Sequence, residues 1–232
     1  MIKLSIIIPV LNEVNSIPIL LENLRKHASN PSHFELIFVD GGSTDGTFDL
    51  LKKTEGILVL PSKKGRAKQM NLGAKEAQGT ILYFLHADCL PPKHFDKLIL
   101  NEITNGSESG CFRMKFDSNH PWLKFAGWLT QLPFLSCRGG DQSLFITKAL
   151  FKAVGGYDEQ FFIYEDNDLI RKLYERKTFV IIKKWLITSA RTYNSHGIWR
   201  VQYHYAIIHL KKFFGASATH LNNYYKKHVL DY

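Results

Sequence analysis

A chain of 232 residues, 45% hydrophobic and 22% charged, has enough apolar mass for one folded core and too much for a disordered chain. Its 30 lysines and arginines against 21 acids leave a formal charge of +9, which suits an anionic ligand. The basic residues are dispersed in small pairs such as Lys63–Lys64 and Lys226–Lys227, the pattern of a solvated surface rather than of a nucleic-acid groove. Three widely spaced cysteines (Cys89, Cys111 and Cys137) form no C-x-x-C pair, which argues against a zinc module and fits free thiols in a reducing cytosol.

The opening run MIKLSIIIPVLNE is too short in its apolar part for a signal segment and reads as a first strand, Lys3 to Val10. Ile17, Leu20, Leu21 and Leu24 then recur at helical spacing over Ser16 to His27. Phe34 to Val39 is a second strand, and Thr44 or Asp45 can cap a helix reaching Lys53. A short strand at Ile57 to Leu60 precedes a helix over Lys68 to Gln78 that Gly79 stops. Thr80 to Leu85 is a strand ending in His86-Ala87-Asp88, and Pro91-Pro92 opens a helix over Lys93 to Ile103. This β-α-β-α order predicts an α/β fold with parallel strands and a ligand site at their carboxyl edge.

The second half is less regular. Gly110 to Phe116 and Ser143 to Thr147 read as strands, separated by the aromatic stretch PWLKFAGWLTQLPFLSC. Asp166 to Arg176 reads as a helix, Phe179 to Ile187 as hairpin-like, and Ile198 to Phe214 as a basic, aromatic tail. No apolar run reaches membrane-spanning length.

Two of the strands end abruptly in aspartate, at Asp40 and at Asp88. The turn after Asp40, DGGSTDGT, lacks the G-x-G-x-x-G spacing of a dinucleotide-binding loop. Asp40 at a strand end suits hydrogen bonding to a base or ribose, and a turn-forming role is the plainer alternative. Asp88 is the metal candidate: a divalent cation on a diphosphate needs hard oxygen ligands, often only one or two carboxylates. Its neighbour Cys89 is too soft a ligand for magnesium or manganese and reads as packing. Glu165 and Asp166 stand at a helix start, where acids cap the helix but where a carboxylate also stays ionised, as a general base requires. Arg66 and Asn71 lie at a helix entry suited to phosphate or ribose contacts. Arg191 and His196 are further candidates for holding a diphosphate, with exposed structural roles as the default.

Taken together, SIIIPVLNE, FVDGGSTDGT, GRAKQMNLGA, LHAD and YEDNDLIRKL resemble the family-2 glycosyltransferases, in order from Ser5 to about Leu173. The resemblance is to a small bacterial branch with GRA-x-QMN, HAD and GDQ elements. It implies the GT-A fold, Rossmann-like with a mostly parallel sheet flanked by helices, and inversion of anomeric configuration. It places Pro9, Asn12, Glu13, Asp40 and Gly42 around the nucleotide base and ribose, with Arg66 and Asn71 beside them. His86, Ala87 and Asp88 stand at the D-x-D element, where Asp88 binds the metal-diphosphate and His86 replaces the first acid. Asp166 matches the acid that deprotonates the acceptor, with Glu165 adjoining it. Gly140, Asp141 and Gln142 would face donor sugar or acceptor. Gly41 occupies the position of a second aspartate in many relatives.

The expected reaction moves a sugar from a nucleoside-diphosphate donor, uridine favoured, to an acceptor hydroxyl with help from magnesium or manganese. The expected layout is a catalytic unit over 1–195, with a nucleotide half to about 90 and an acceptor half beyond it. A helical tail over 196–232 would pack on that unit, a membrane-surface contact and a lipid-linked acceptor being its minority alternative. The expected location is cytoplasmic, with no nucleic-acid partner. Two other classes compete. A sugar-nucleotide pyrophosphorylase would carry a glycine-rich N-terminal phosphate loop where this chain has Pro-Val-Leu-Asn-Glu. A non-catalytic membrane-surface adaptor would rest on the tail alone.

Overall fold

The computed structural model describes residues 2–230; Asp231 and Tyr232 of the expected tail lie outside the described residues. In chain order the strands are β1 (Leu4–Val10), β2 (Phe34–Asp40), β3 (Ile57–Pro61), β4 (Ile81–Phe84), β5 (Cys89–Leu90), β6 (Ser109–Phe116), β7 (Leu144–Thr147) and β8 (Phe179–Thr188). The helices are α1 (Ser16–His27), α2 (Thr47–Lys52), α3 (Arg66–Glu76), α4 (Phe95–Thr104), α5 (Pro121–Leu129), α6 (Lys148–Ala153), α7 (Glu165–Tyr174), α8 (Arg191–His196), α9 (Ile198–Phe213) and α10 (Ala218–Tyr225).

Successive side chains of a strand point to opposite faces, and in β1 both faces meet protein. Leu4, Ile6, Ile8 and Val10 join one apolar cluster, while Ile7 joins another on the far side. The same division separates Phe38 from Val39 in β2 and Tyr83 from Phe84 in β4. Strands apolar on both faces belong to a sheet covered by helices on both sides. The first face is covered by Ile17, Leu20 and Leu24 of α1, Phe95 and Ile99 of α4, and Leu123 of α5. The second is covered by Ala67, Met70 and Ala74 of α3 with Leu169 and Leu173 of α7. α3 lies directly on β1, because a Cβ on Gly73 would come within 2.5 Å of Ile7 Cγ2.

Among the described residues the strands form one sheet in the order β3-β2-β1-β4-β7-β6-β8-β5. β3, β2, β1 and β4 are parallel, so Val10, Asp40 and Phe84 all finish at one edge. Beyond β4 the sheet is mixed: β7 runs antiparallel to β4 and β6, β8 parallel to β6, and β5 antiparallel to β8.

Several local expectations change. The segment from Phe179 is one strand, not a hairpin. Phe112 pairs with Ile182 and Arg113 with Trp185, so Lys183 and Lys184 bulge from the ladder and give the sequence its turn-like polarity. Gly46, with φ of 91°, precedes α2, while Asp45 Oδ1 accepts from Thr47 N at 3.0 Å; Thr44 does not cap the helix. α3 ends at Glu76, with Ala77 already extended, and Gly79 is instead required by closeness to Ser5, whose Oγ a Cβ would meet at 2.7 Å. The aromatic stretch contains α5, with Pro121 at its first position and His120 Nδ1 accepting from Trp122 N. The tail folds onto the domain: Val201 enters the main core, and Ile208 packs with Phe161, Ala218 and Leu221. No helix of the described residues is long and apolar enough to cross a membrane.

Candidate active site

The parallel strands deliver three loops to one edge, and two polar side chains lock the first pair together. Asn12, at φ 57°, donates its backbone N–H to Ser43 Oγ (2.9 Å), and its Oδ1 accepts from Thr44 N (2.8 Å). Buried Gln69 donates to Val10 O at 2.9 Å and Val39 O at 2.7 Å, tying the ends of β1 and β2. Asp40, 4% exposed, turns the chain by accepting from Gly42 N (2.9 Å) and Ser43 N (3.0 Å) through Oδ2. Its other oxygen, Oδ1, is buried without a protein partner. Pro9 is buried inside β1, one residue before the edge.

β4 continues into His86-Ala87-Asp88, with Ala87 packed in the core. His86 reaches across to two acids: its Nδ1 lies 3.5 Å from Asp141 Oδ1 and its Nε2 3.9 Å from Asp166 Oδ2. Asp88 Oδ2 lies 3.7 Å from Arg191 Nη2. Arg191 forks onto Glu13, with Nη1 donating to Oε2 at 2.8 Å and Nη2 donating to Oε1. Arg66 Nε stands 3.4 Å from Glu165 Oε1, at the start of α7. Six distant stretches therefore meet: the β1 loop, the start of α3, the end of β4, the Gly140–Gln142 turn, the α7 N-terminus and the start of α8. Asp40 adjoins them through Asn12 and the following Glu13.

Gly140 is what allows the acids to approach the turn. A Cβ there would overlap Asp166 Oδ2 and lie 2.7 Å from its Cγ and 2.9 Å from His86 Cε1. Asp141 exposes about half of its side chain (52%), whereas Gln142 is 1% exposed and accepts from Gly139 N at 3.2 Å. Gln142 Nε2 has no protein partner.

The charges shape one another. Burial pushes the Glu165 carboxyl up to about 7, against the pull of Arg66 and with help from Asp166. Glu165, Asp166 and Asp141 hold the Arg66 guanidinium firmly protonated. Burial alone would lower the His86 pKa, but its bond to Asp141 and the nearby acids outweigh burial and Arg66 and raise it. Crowding works against ionisation of Asp141, yet His86 and Arg66 lower its pKa. Burial raises the Asp88 pKa; Asp141 and Glu13 push the same way, while His86 and Arg191 oppose. A carboxylate left under-neutralised among acids is a setting that favours a cation.

His86, Asp88 and Cys89 offer ligand atoms within 4.8 Å of one another. Cys89 is an unsuitable ligand: burial drives its thiol pKa well above 9.0, and Sγ donates to Thr188 Oγ1 at 3.3 Å. Asp88 is the fitting donor for a hard divalent ion whose remaining sites are filled by phosphate and water, since both ring nitrogens of His86 face Asp141 and Asp166.

Two expected residues lie outside this network. The Asn71 amide is spent on the loop before α7: Nδ2 donates to Tyr157 O (2.9 Å) and Glu159 Oε1 (3.0 Å), and Oδ1 accepts from Tyr157 N (3.0 Å). His196 Nδ1 contacts Thr192 O at 3.2 Å within α8. Conversely, the sequence reading missed Tyr157 and Tyr225. Burial with the charges of Asp166 and Glu165 raises the Tyr157 pKa, while Tyr225 of α10 lies in the field of Arg66 and Glu165. The only signal for either was its aromatic neighbourhood.

A family model described as glycosyl transferase family 2 matches residues 5–151. The undecaprenyl-phosphate 4-deoxy-4-formamido-L-arabinose transferase of Proteus mirabilis is 27% identical over 191 residues, covering 78% of this chain and 55% of that protein. The succinoglycan biosynthesis protein ExoA of Rhizobium meliloti is 29% identical over 190 residues, covering 72% of this chain and 57% of its own. The chain thus spans little more than half the length of these two relatives. The crystal structure of S. aureus TarS superposes with a TM-score of 0.70 at 20% identity, over 97% of this chain and 42% of that one. A TarS 1–349 structure in complex with UDP-GlcNAc gives 0.65 at 20% identity, over 81% and 58%. The helix-flanked, largely parallel sheet is thus the GT-A fold, and a chain matched over residues 5–151 by that model belongs to glycosyl transferase family 2.

Proposed function

We propose that this protein transfers a sugar from a nucleoside-diphosphate donor, uridine-linked, to an acceptor hydroxyl with inversion. The observation that carries this reading is the meeting of Asp166, His86, Asp141, Asp88, Arg191 and Glu13 at the carboxyl edge of β1 and β4, next to the Asp40 turn. The unpartnered Oδ1 of Asp40 is an acceptor for a base or ribose N–H or O–H. TarS structures in complex with UDP and with UDP-GlcNAc support uridine as the nucleotide.

In the proposed step, the acceptor oxygen bonds to the anomeric carbon as the bond from that carbon to the diphosphate oxygen breaks. The acceptor proton passes to Asp166, and the electron pair leaves with the nucleoside diphosphate. Arg191 faces the departing diphosphate once it releases Glu13, and His86 holds Asp166 and Asp141 in place. Asp88 would hold Mg²⁺ or Mn²⁺, which supplies charge neutralisation to the diphosphate. Residues 1–195 form the catalytic unit in this reading, with the nucleotide held by the first 90. The Proteus relative's name favours a lipid-linked acceptor.

The test is Asp166→Asn, assayed by nucleoside-diphosphate release from a panel of UDP-sugars with manganese and by calorimetric UDP titration. Turnover should fall about 10²–10⁴-fold with UDP affinity kept. Undiminished turnover removes Asp166 as the base; release of pyrophosphate from nucleoside triphosphates would move the protein to the pyrophosphorylases.

A further inference from the structure

The buried side of α9 is Val201 and Ile208. On the opposite side Trp199, Tyr203, Ala206, Leu210 and Phe213 recur at intervals of four and three residues, and all are exposed. Exposure reaches 65% for Trp199 and 82% for Phe213, and Phe214 follows at 77%. The stripe continues onto α5. Trp199 meets Trp122 at 5.2 Å between ring centroids, Trp122 meets Phe125 at 5.8 Å, and Phe125 stacks on Trp128 at 6.2 Å. Among the described residues, nine of the twelve exposed large apolar side chains fall between Phe125 and Leu135 or between Trp199 and Phe214. Scattered exposed apolar groups are ordinary, but a contiguous patch of this kind marks a contact surface.

Charge decides what covers it. From Ile198 to Leu230 the chain carries Arg200, Lys211, Lys212, Lys226 and Lys227 and no aspartate or glutamate. From Ser118 to Gly140 its one exposed charge is Lys124, Arg138 being buried, and again there is no acid. A second copy docked on this face would set two positive surfaces together without the acids that pair such a seam. An anionic bilayer supplies the opposite charge, and tryptophan and phenylalanine beside lysine and arginine are the composition that settles at a lipid–water boundary.

We propose that the exposed faces of α9 and α5 form one membrane-docking surface that lays the protein on an anionic lipid bilayer without spanning it. This assignment is independent of the transferase reading. Its test needs no donor or acceptor: flotation of the full chain with phosphatidylcholine vesicles and with vesicles containing phosphatidylglycerol, at low and high salt. The full chain should float with the anionic vesicles, less so at high salt, and remain in solution with neutral ones. The double variant Leu210→Ser, Phe213→Ser, on residues 52% and 82% exposed, should keep its thermal melt and lose about tenfold in partitioning. Failure of the unaltered chain to float overturns the proposal. Unchanged flotation by a folded variant does too. A dimer in light scattering that the double variant dissolves, without vesicle binding, assigns the stripe to a second copy instead.

Discussion

At the scale of single residues, the site depends on an absent side chain as much as on the present ones. Gly140 lies against Asp166 so closely that any Cβ overlaps the carboxylate, and His86 closes the other side. Gly140→Ala must displace Asp166, His86 or the Gly140–Gln142 turn. Displacement of a reacting group by about 1 Å costs on the order of a hundredfold in rate. The variant should therefore lose turnover by about that factor while binding UDP normally, because the Asp40 and Asn12 contacts lie on other loops. Steady-state kinetics with calorimetry reads both quantities, and a variant as active as the parent would mean that Asp166 is not held against this turn during the reaction.

At the scale of elements, the loop before α7 is held by a helix far from it in sequence. Asn71 of α3 makes three hydrogen bonds to Tyr157 and Glu159. Asn71→Ala would strand a backbone N–H and C=O of Tyr157 and cost about 1–3 kcal/mol. The melting temperature should fall by about 2–4 °C per kcal/mol, with UDP affinity unchanged. A drop in UDP affinity at constant melting temperature would instead return Asn71 to the nucleotide site. This residue also shows where reading the sequence stops. β1, β2 and β4 were legible because residues buried on both faces leave nearly unbroken apolar runs, and α1 because Ile17, Leu20, Leu21 and Leu24 keep helical period. β8 was not, since the Lys183–Lys184 bulge interrupts its pattern and its partner β6 lies about 70 residues earlier. Asp40, Asp88 and Asp166 stood out as acids at strand or helix ends. The linkages among Glu13, Arg191 and Asp88, and between Arg66 and Glu165, are set by folding of the whole chain and have no local signature.

At the scale of the whole molecule, gathering so many charges at one edge should show in the pH dependence of stability. Glu165, 2% exposed, titrates near 4.5 in an unfolded chain and at about 7 in the folded one. The folded state therefore holds a proton that the unfolded state has released, so stability falls as pH rises from about 4.5 to about 7 and then levels. His86 acts in the same direction: its raised pKa adds stability at low pH that disappears as pH climbs through the folded value. Glu165→Gln removes the first contribution and leaves the second. At pH 5, where the folded Glu165 carboxyl still holds its proton, the neutral amide should leave stability close to the parent's. Its decline between pH 5 and 7.5 should be shallower, by on the order of 1–3 kcal/mol. Urea unfolding at half-unit pH steps for both proteins gives the two curves. Parallel curves would mean that Glu165 is ionised throughout and that Arg66, rather than burial, governs it.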